Sequence, residues 1–298
     1  MTASTYTTSH PPKWADISLK LQRLVKPILV YTLLFILCAI IFLPLGWMLT
    51  ISLKADHMPV FTIPPQWLPT TQWHWENFIK VLASSTTSFG RYTENTVLIV
   101  AWNIVGTLFS CSLVGYAFAR LRFRGKKLLF NILILTMLIP IQALMIPLFL
   151  MFYKIGWYGT YLPLIVPSFF GNAYFIFLIR QYMMTFPRDL DDAAKIDGCN
   201  WFQAYWYIFL PLSIPVLTVV TVFVFLWSWN DLLNPLIYLD ANSKFTVAVG
   251  LANIATRLNP AWNQLMAANL IFMLPALIIY FFAQDKLIGG IASVGIKG

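Results

Sequence analysis

Charge is what this chain has least of: Asp, Glu, Lys and Arg make up 10% of its 298 residues, where a soluble domain needs about 25% to cover its surface. Water is therefore not its main solvent, and a soluble globular fold is excluded. The three cysteines, Cys38, Cys111 and Cys199, lie far apart, the first two inside apolar stretches, which gives no disulfide framework. His10, His57 and His74 stand at no ligand spacing to any cysteine, so no metal site is expected. The 14 glycines show no tripeptide period, which excludes a collagen-like chain. There is no GxxxxGK[ST] phosphate loop, no GxGxxG opening a helix, no HExxH and no Ser, His and acid grouping. No catalytic residue is expected, the chain is not read as an enzyme, and any nucleotide that drives it must bind another chain.

What is present is apolar: 59% of residues are hydrophobic and 16% aromatic, with a mean hydropathy of +0.73. That composition excludes a disordered chain and points to an all-α integral membrane protein. Because a bilayer core about 30 Å thick takes about 20 apolar residues per helix and few charges, charges serve as rulers. Six charge-free stretches are long enough to cross: Pro27 to Leu53, Asn95 to Ala119, Leu128 to Tyr153, Ile155 to Ile179, Gly198 to Asn230 and Leu258 to Gln284. Within them the spanning helices are expected near Ile28 to Met48, Val97 to Phe118, Leu128 to Leu150, Leu162 to Tyr182, Leu212 to Leu233 and Leu265 to Phe282. Pro59 to Trp75 is also charge-free but holds Pro59, Pro64, Pro65 and Pro69, each of which would leave backbone groups unpaired in lipid, so it reads as a loop. The first stretch is too long for a cleavable secretory signal and lacks a small-residue cleavage site. Prolines 44, 140, 147, 163, 167, 215 and 275 fall inside spans and can kink them.

Positive charge sets the orientation, since cytoplasmic flanks are enriched in Lys and Arg. Fourteen of the twenty cations fall on one side: Lys13, Lys20, Arg23 and Lys26; Arg120, Arg122, Arg124, Lys126 and Lys127; Arg180, Arg188 and Lys195; Lys286 and Lys297. Both termini are therefore expected to be cytoplasmic. This bias accounts for the whole formal excess of +9, so no nucleic-acid partner is needed. The resulting plan is a cytoplasmic segment 1–27, a six-helix membrane domain 28–283 and a cytoplasmic tail 284–298. The domain carries an external loop 53–94, a cytoplasmic loop 186–211 and a second external loop 235–263, in which Val247 to Ala255 is expected to form a short amphipathic helix lying in the interface or reaching outward.

No ionisable residue falls at an expected bilayer centre, which argues against a proton-coupled carrier. Asp231 comes nearest, in Trp227-Ser228-Trp229-Asn230-Asp231 at the outer end of the fifth span. Its aromatic and amide neighbours can stack on and hydrogen-bond a polyhydroxylated solute, or the cluster can serve as an interfacial anchor. Candidate contacts along a solute pathway are Asn172, Trp229, Asn230, Asp231 and Asn234. Asn103 and Asn131 are further polar positions whose amides can equally act as glue between helices.

The most unusual segment is the cytoplasmic loop, Phe186-Pro187-Arg188-Asp189-Leu190-Asp191-Asp192-Ala193-Ala194-Lys195-Ile196-Asp197-Gly198-Cys199-Asn200, which continues to Pro211 and Pro215. Asp189 is placed to cap a helix whose first turn carries Asp191 and Asp192 near the positive end of the helix dipole. Gly198 is suited to stop it in a left-handed conformation. A second helix is expected over Asn200 to Leu210, with Pro211 and Pro215 turning the chain into the membrane.

This loop resembles that of the integral permease subunits of binding-protein-dependent ABC importers, whose pattern is EAAxxDGAxxxxxFxxxxLPxxxP. Ala193, Ala194, Asp197, Gly198, Leu210, Pro211 and Pro215 match it, while Asp192, Cys199 and Tyr205 stand for Glu, Ala and Phe. Ser52-Leu53-Lys54, Asn95-Thr96, Tyr116 to Arg120, Phe177 to Gln181, Trp227 to Asp231 and Gly295 to Gly298 extend the likeness to the carbohydrate-uptake branch, specifically the subunit similar to the second maltose permease. The resemblance implies an ABC type I importer permease fold in a bacterial plasma (inner) membrane. It implies as partners a homologous second permease, a dimeric ATPase that holds ATP and Mg while this chain holds no cofactor, and an extracytoplasmic solute-binding protein. It makes Asp191, Asp192, Ala193, Ala194, Lys195, Ile196, Asp197 and Gly198 a coupling helix seated in the ATPase, with Pro211 and Pro215 directing the chain after it. It also places the tail along the ATPase and the 235–263 loop against the binding protein. The solute implied is a sugar, oligosaccharide or related polyol. The alternatives are a glycerol phosphate or other polar solute within the family, and an ion-coupled carrier or channel outside it.

Overall fold

The computed structural model describes residues 13–55, 58, 62–64, 66–68, 72–83, 89–256 and 261–295, with 13–24 and 285–295 described as backbone only. His10, Asp56, His57, Pro59, Pro65, Pro69, Arg257 and the tail positions 296–298, among them Lys297, lie outside the described residues.

Every regular element among the described residues is helical. Helix α1 (Lys13–Ser52) has 40 residues, about 60 Å at 1.5 Å per residue, twice a bilayer core. Its apolar part is Val25–Ser52. The first span therefore belongs to a longer helix that starts inside the polar N-terminal segment, whose charged residues favour helix as much as its apolar ones do. A short helix α2 (Glu76–Ala83) precedes α3 (Phe89–Arg120), which extends the expected second span by eight residues on its N-terminal side.

The expected third span, Leu128 to Leu150, is not one helix: α4 (Lys126–Thr136) and α5 (Ile141–Lys154) meet at 95°. Pro140, at φ −67 and ψ 130, sits at the break; it lacks an N–H and biases the residue before it away from the helical region. The fourth span is also interrupted. After α6 (Leu162–Ile165) and a 3-10 turn (Val166–Phe170), Gly171 at φ +88 breaks the run. Helix α7 (Ala173–Met183) starts afresh, its first amides from Tyr174 and Phe175 donating to Asn172 Oδ1.

After α8 (Asp189–Ile196) come α9 (Trp201–Ala204), a π turn (Tyr205–Phe209) and α10 (Leu210–Leu212), and a 75° bend then leads into α11 (Ile214–Trp229). Pro211 explains the π turn, since its missing N–H and its ring fit a widened turn better than a regular one. The expected fifth span, Leu212 to Leu233, thus stops four residues early. The chain closes with α12 (Leu233–Tyr238), a 3-10 turn (Asn242–Lys244), α13 (Val247–Ala255) and α14 (Trp262–Gly295). Among the described residues, four segments are long and apolar enough to cross a membrane by themselves, and up to six if each bent pair is one span. This is a multi-pass membrane architecture.

Helix α3 is the spine, packing on α7, α11, α13 and the 166–170 turn. Small residues make that possible: Ser110 Oγ donates to Ser168 O at 3.0 Å, and a Cβ on Gly106 would fall 2.3 Å from Ser168 Oγ and 2.7 Å from the Phe169 ring. Helix α14 joins α1, α2, α11 and α13. Helix α13 has the expected bounds, yet Val247, Val249, Leu251 and Ile254 are buried against α3 and α14 instead of lying free in the interface. The apolar side chains of α1, among them Ile28, Phe35, Ile41 and Phe42, remain exposed, as a lipid-facing helix requires.

One prediction follows from the spine. Gly106→Ala forces the 166–170 turn away and lowers thermal stability in detergent, by about 1–3 kcal/mol. Gly46→Ala, where a Cβ meets nothing within 4 Å, leaves stability unchanged or slightly raised.

Candidate functional site

Two places concentrate polar side chains, one at the C-terminus of α3 and one beside its middle. The first lies at the C-terminus of α3. Arg120 is buried there, its side chain 1% exposed, and its guanidinium is fully used. Nε donates to Asp191 Oδ1 at 3.2 Å and Nη2 to Asp191 Oδ2. Nη1 donates to Phe186 O at 2.9 Å and Nη2 to Pro187 O at 2.7 Å. The same group lies 4.8 Å over the Phe209 ring, so one side chain ties together α3, the start of α8 and the π turn. A bidentate pair with carbonyls on the remaining donors is the geometry that arginine suits and lysine does not.

The neighbouring arginines complete the joint. Arg188 donates to Arg120 O at 3.3 Å and Ala119 O at 3.4 Å, and Arg180 Nε donates to Phe118 O at 3.3 Å. Cations thus satisfy the last carbonyls of α3, where the helix dipole is negative. The hydroxyls of Tyr205 and Ser112 lie 2.7 Å apart, which fastens the π turn to α3.

Helix α8 is short and two-faced. Asp191 and Ala194 turn inward, Ala194 being 2% exposed within a core that also contains Ile179, Met183, Tyr205 and Phe209. Asp192, Ala193, Lys195, Ile196, Asp197 and Gly198 are exposed, and Ile196, the large apolar side chain on this outer face, is 86% exposed. Lys195 lies 3.3 Å from Asp192 in an exposed i,i+3 pair, worth little by itself. Pro211 and Pro215 are exposed on the adjoining segment, on either side of the buried Ser213.

The expected cap is not formed by Asp189. It is the first helical residue, and Arg188 occupies the cap position with no side-chain cap hydrogen bond. Arg188 is itself helical at φ −70 and ψ −22, and the amides of Asp191 and Asp192 donate to its carbonyl. The helix therefore begins one residue too early for Asp189 to serve as its cap.

The other end of α8 behaves as expected. Gly198 at φ +77 lets its own N–H donate to Lys195 O at 3.0 Å and the Cys199 N–H to Ala194 O at 2.9 Å, a Schellman closure. Asn200 then caps α9, accepting from the Phe202 and Gln203 amides, while Gln203 Oε1 accepts from Asn200 N at 2.9 Å.

The second place is a half-open cleft of about 710 Å³ between α3, α5, the 166–170 turn and α11. Of the expected pathway residues, Asn172, Asp231 and Asn234 line it; Trp229 and Asn230 do not. Trp229 is 3% exposed, stacked on Phe225 and Phe272, and its Nε1 donates to Phe272 O at 3.0 Å, so it is a core residue joining α11 to α14. Asn230 donates back to Leu226 O. Asn131 is exposed on α4, away from the cleft.

Asn103 does line the cleft, donating to Ser228 Oγ at 2.8 Å. Thr107, Ser168, Trp157, Trp227 and Tyr238 join it; of these only Trp227 stands near a sequence signal, because helical phase around Trp227 and Trp229 cannot be read before α11 is placed. Asp231 accepts from the backbone and side-chain amides of Asn234 at 3.2 and 2.9 Å. Burial beyond the end of α11 raises its carboxyl pKa above the ordinary value, and the Asn234 hydrogen bonds oppose that shift.

Removing one partner of a buried pair is costly, about 3–5 kcal/mol. Asp191→Leu, which strands the buried Arg120 charge, is therefore expected to destabilise the protein by about that amount, and Arg120→Met by no more, because the Asp191 carboxylate it leaves behind is partly exposed. Adding Asp191→Leu to Arg120→Met recovers part of the loss, a coupling that thermal denaturation of the two single variants and the double variant measures.

The model of the family described as "Binding-protein-dependent transport system inner membrane component" matches residues 112–292. The arabinooligosaccharides transport system permease protein AraQ of Halalkalibacterium halodurans is 34% identical over 226 residues, 75% of this chain and 79% of that protein. The trehalose/maltose transport system permease protein MalG of Thermococcus litoralis is 28% identical over 93% of this chain and 99% of its own length. Among solved structures, a chain of a bacterial ABC transporter involved in import of the acidic polysaccharide alginate superposes with a TM-score of 0.77 at 22% identity, covering 93% of this chain and 99% of that one.

Proposed function

The chain belongs to the family of inner membrane components of binding-protein-dependent transport systems, and from that premise we propose that it is one of two permeases in an ATP-driven importer of a sugar, oligosaccharide or related polyol. The sugar rests on relatives named for arabinooligosaccharides and for trehalose and maltose. The chain is a transport component and not an enzyme. It works in a bacterial plasma membrane with six spans, counting α4 with α5 and the α9–α10 segment with α11 as one each, and with both termini inside, as the distribution of Lys and Arg supports. The N-terminal segment 1–27, the membrane domain 28–283 and the tail 284–298 retain the roles their sequence suggests. Its partners are a second permease, a dimeric ATPase that holds ATP and Mg, and an extracytoplasmic binding protein.

The observation that carries this reading is the two-faced helix α8, with Asp191 clasped by Arg120 inside and Asp192, Ile196 and Asp197 bare outside. A helix built so rigidly on one face and exposed on the other is suited to sit in a cleft of a separate motor. Ile196 offers the apolar anchor of such a contact, and Asp192 and Asp197 its charged rim. When the ATPase pair closes, force on α8 passes through Arg120 to α3 and through the π turn to α11, so the spans tilt as a body and the path changes sides.

Asp192→Lys and Ile196→Asp are expected to leave the protein in the membrane and to lower solute uptake by about tenfold or more, while the ATPase still hydrolyses ATP. Uptake by right-side-out vesicles and hydrolysis by the purified complex measure the two halves. Undiminished accumulation by both variants refutes the docking role. Accumulation that persists after ATP depletion favours the ion-coupled alternative.

A further inference from the structure

Among the described residues, the cleft between α3, α5 and α11 is lined by one ionisable carboxyl, Asp231, and by no Lys, Arg or His. Two helices start at its wall, α7 and α12. Each has its first free amides taken by its own chain: Asn172 Oδ1 accepts from Tyr174 N and Phe175 N, and Asp231 Oδ1 accepts from Asn234 N. Three of the backbone donors that ordinarily receive an anion at a helix start are thus already used. A carboxylate or phosphate entering here would lose its water and gain no cation, a balance that costs far more than it returns.

Hydroxyl groups fare differently. Asn103 spends its Nδ2 on Ser228 and leaves its buried Oδ1 without a partner, an acceptor that a hydroxyl donor would satisfy. Asp231 adds carboxyl acceptors. Trp227, 53% exposed, and Trp157, stacked on Phe152 at 5.4 Å, supply ring faces for the C–H side of a sugar. The volume of about 710 Å³ falls within the range of about 300–1,000 Å³ typical of small-molecule clefts.

We propose that this cleft receives an uncharged, hydroxyl-rich solute and rejects anionic ones, with Asn103 and Asp231 as its specificity-determining residues. The inference rests on the permease reading and deepens it. Uronic acid oligomers and glycerol phosphates would meet no cation among the described lining residues, so neutral saccharides are the class this cleft favours. The contrast is with the alginate importer, whose polymer is acidic.

The test uses this chain with its partner permease and ATPase in lipid nanodiscs, without the binding protein, so that recognition by the membrane part alone is read. Maltotriose, arabinotriose and raffinose serve as neutral probes, trigalacturonate and glycerol 3-phosphate as anionic ones, and calorimetry gives the affinities. At least one neutral probe is expected to bind, with both anions at least about tenfold weaker. Asn103→Ala weakens that neutral probe by about tenfold. Asp231→Lys weakens it further and gains binding of trigalacturonate. Asn103→Ala leaves the α12 turn untouched and so remains decisive if Asp231→Lys misfolds. Anions bound as tightly as the neutral probes, no neutral probe bound, or an unchanged affinity in Asn103→Ala each overturns the inference. Co-purification and turnover of the ATPase in the same preparation bear on the permease reading separately. An active complex with an indiscriminate cleft sinks only the present inference, whereas no complex at all sinks both.

Discussion

A single buried arginine holds the working end of this protein together. Arg120 terminates α3, clasps Asp191 on α8, lies over the ring of Phe209 and satisfies the carbonyls of Phe186 and Pro187. A guanidinium removed from water is tolerable only when nearly every donor is matched, and here each nitrogen has a partner. The consequence is mechanical: α8 cannot tilt relative to α3 without breaking several charge-assisted bonds in one step. A short surface helix that would fray in isolation becomes the rigid end of a lever.

The lever is continuous with the membrane part because one core runs through both. Ala194 of α8, Tyr205 and Phe209 of the π turn, Ile179 and Met183 of α7 and Val216 and Val220 of α11 belong to the same buried cluster. Close-packed interiors transmit displacement as shifts of whole bodies and do not absorb it gradually. At its middle the spine meets the cleft, where Asn103 of α3 contacts Ser228 of α11. A movement imposed at Asp191 therefore reaches the residues that would face a solute through two helices and no flexible loop.

Much of this was legible in the sequence. Charge spacing located the apolar stretches that become α1, α3, α7, α11 and α14, and the 186–200 loop showed both its helix and its stop at Gly198. The breaks were not legible. Pro140 and Gly171 sit inside apolar runs long enough for one span each, and nothing in composition says whether a proline kinks a helix or ends it. The roles of Trp227 and Trp229 were exchanged for a related reason: two residues apart on a helix, they point to different sides, and only the packing of α11 against α14 decides which side is core. Asp191 looked like its neighbours Asp192 and Asp197, since its partner Arg120 lies 71 residues away and sequence alone does not bring the two together.

Rigid coupling of α8 to α3 is the claim on which the mechanism turns, and it is accessible to a distance measurement. Spin labels at Ile196 and Arg122, read by pulsed dipolar spectroscopy in the assembled transporter with and without ATP, report on the two sides of the Arg120 clasp. The account predicts the same narrow distance distribution in both states, while a label pair joining Ile196 to the partner permease changes. A distribution between Ile196 and Arg122 that shifts or broadens on ATP binding would contradict it, because the lever would then be bending at the joint that is meant to carry the force.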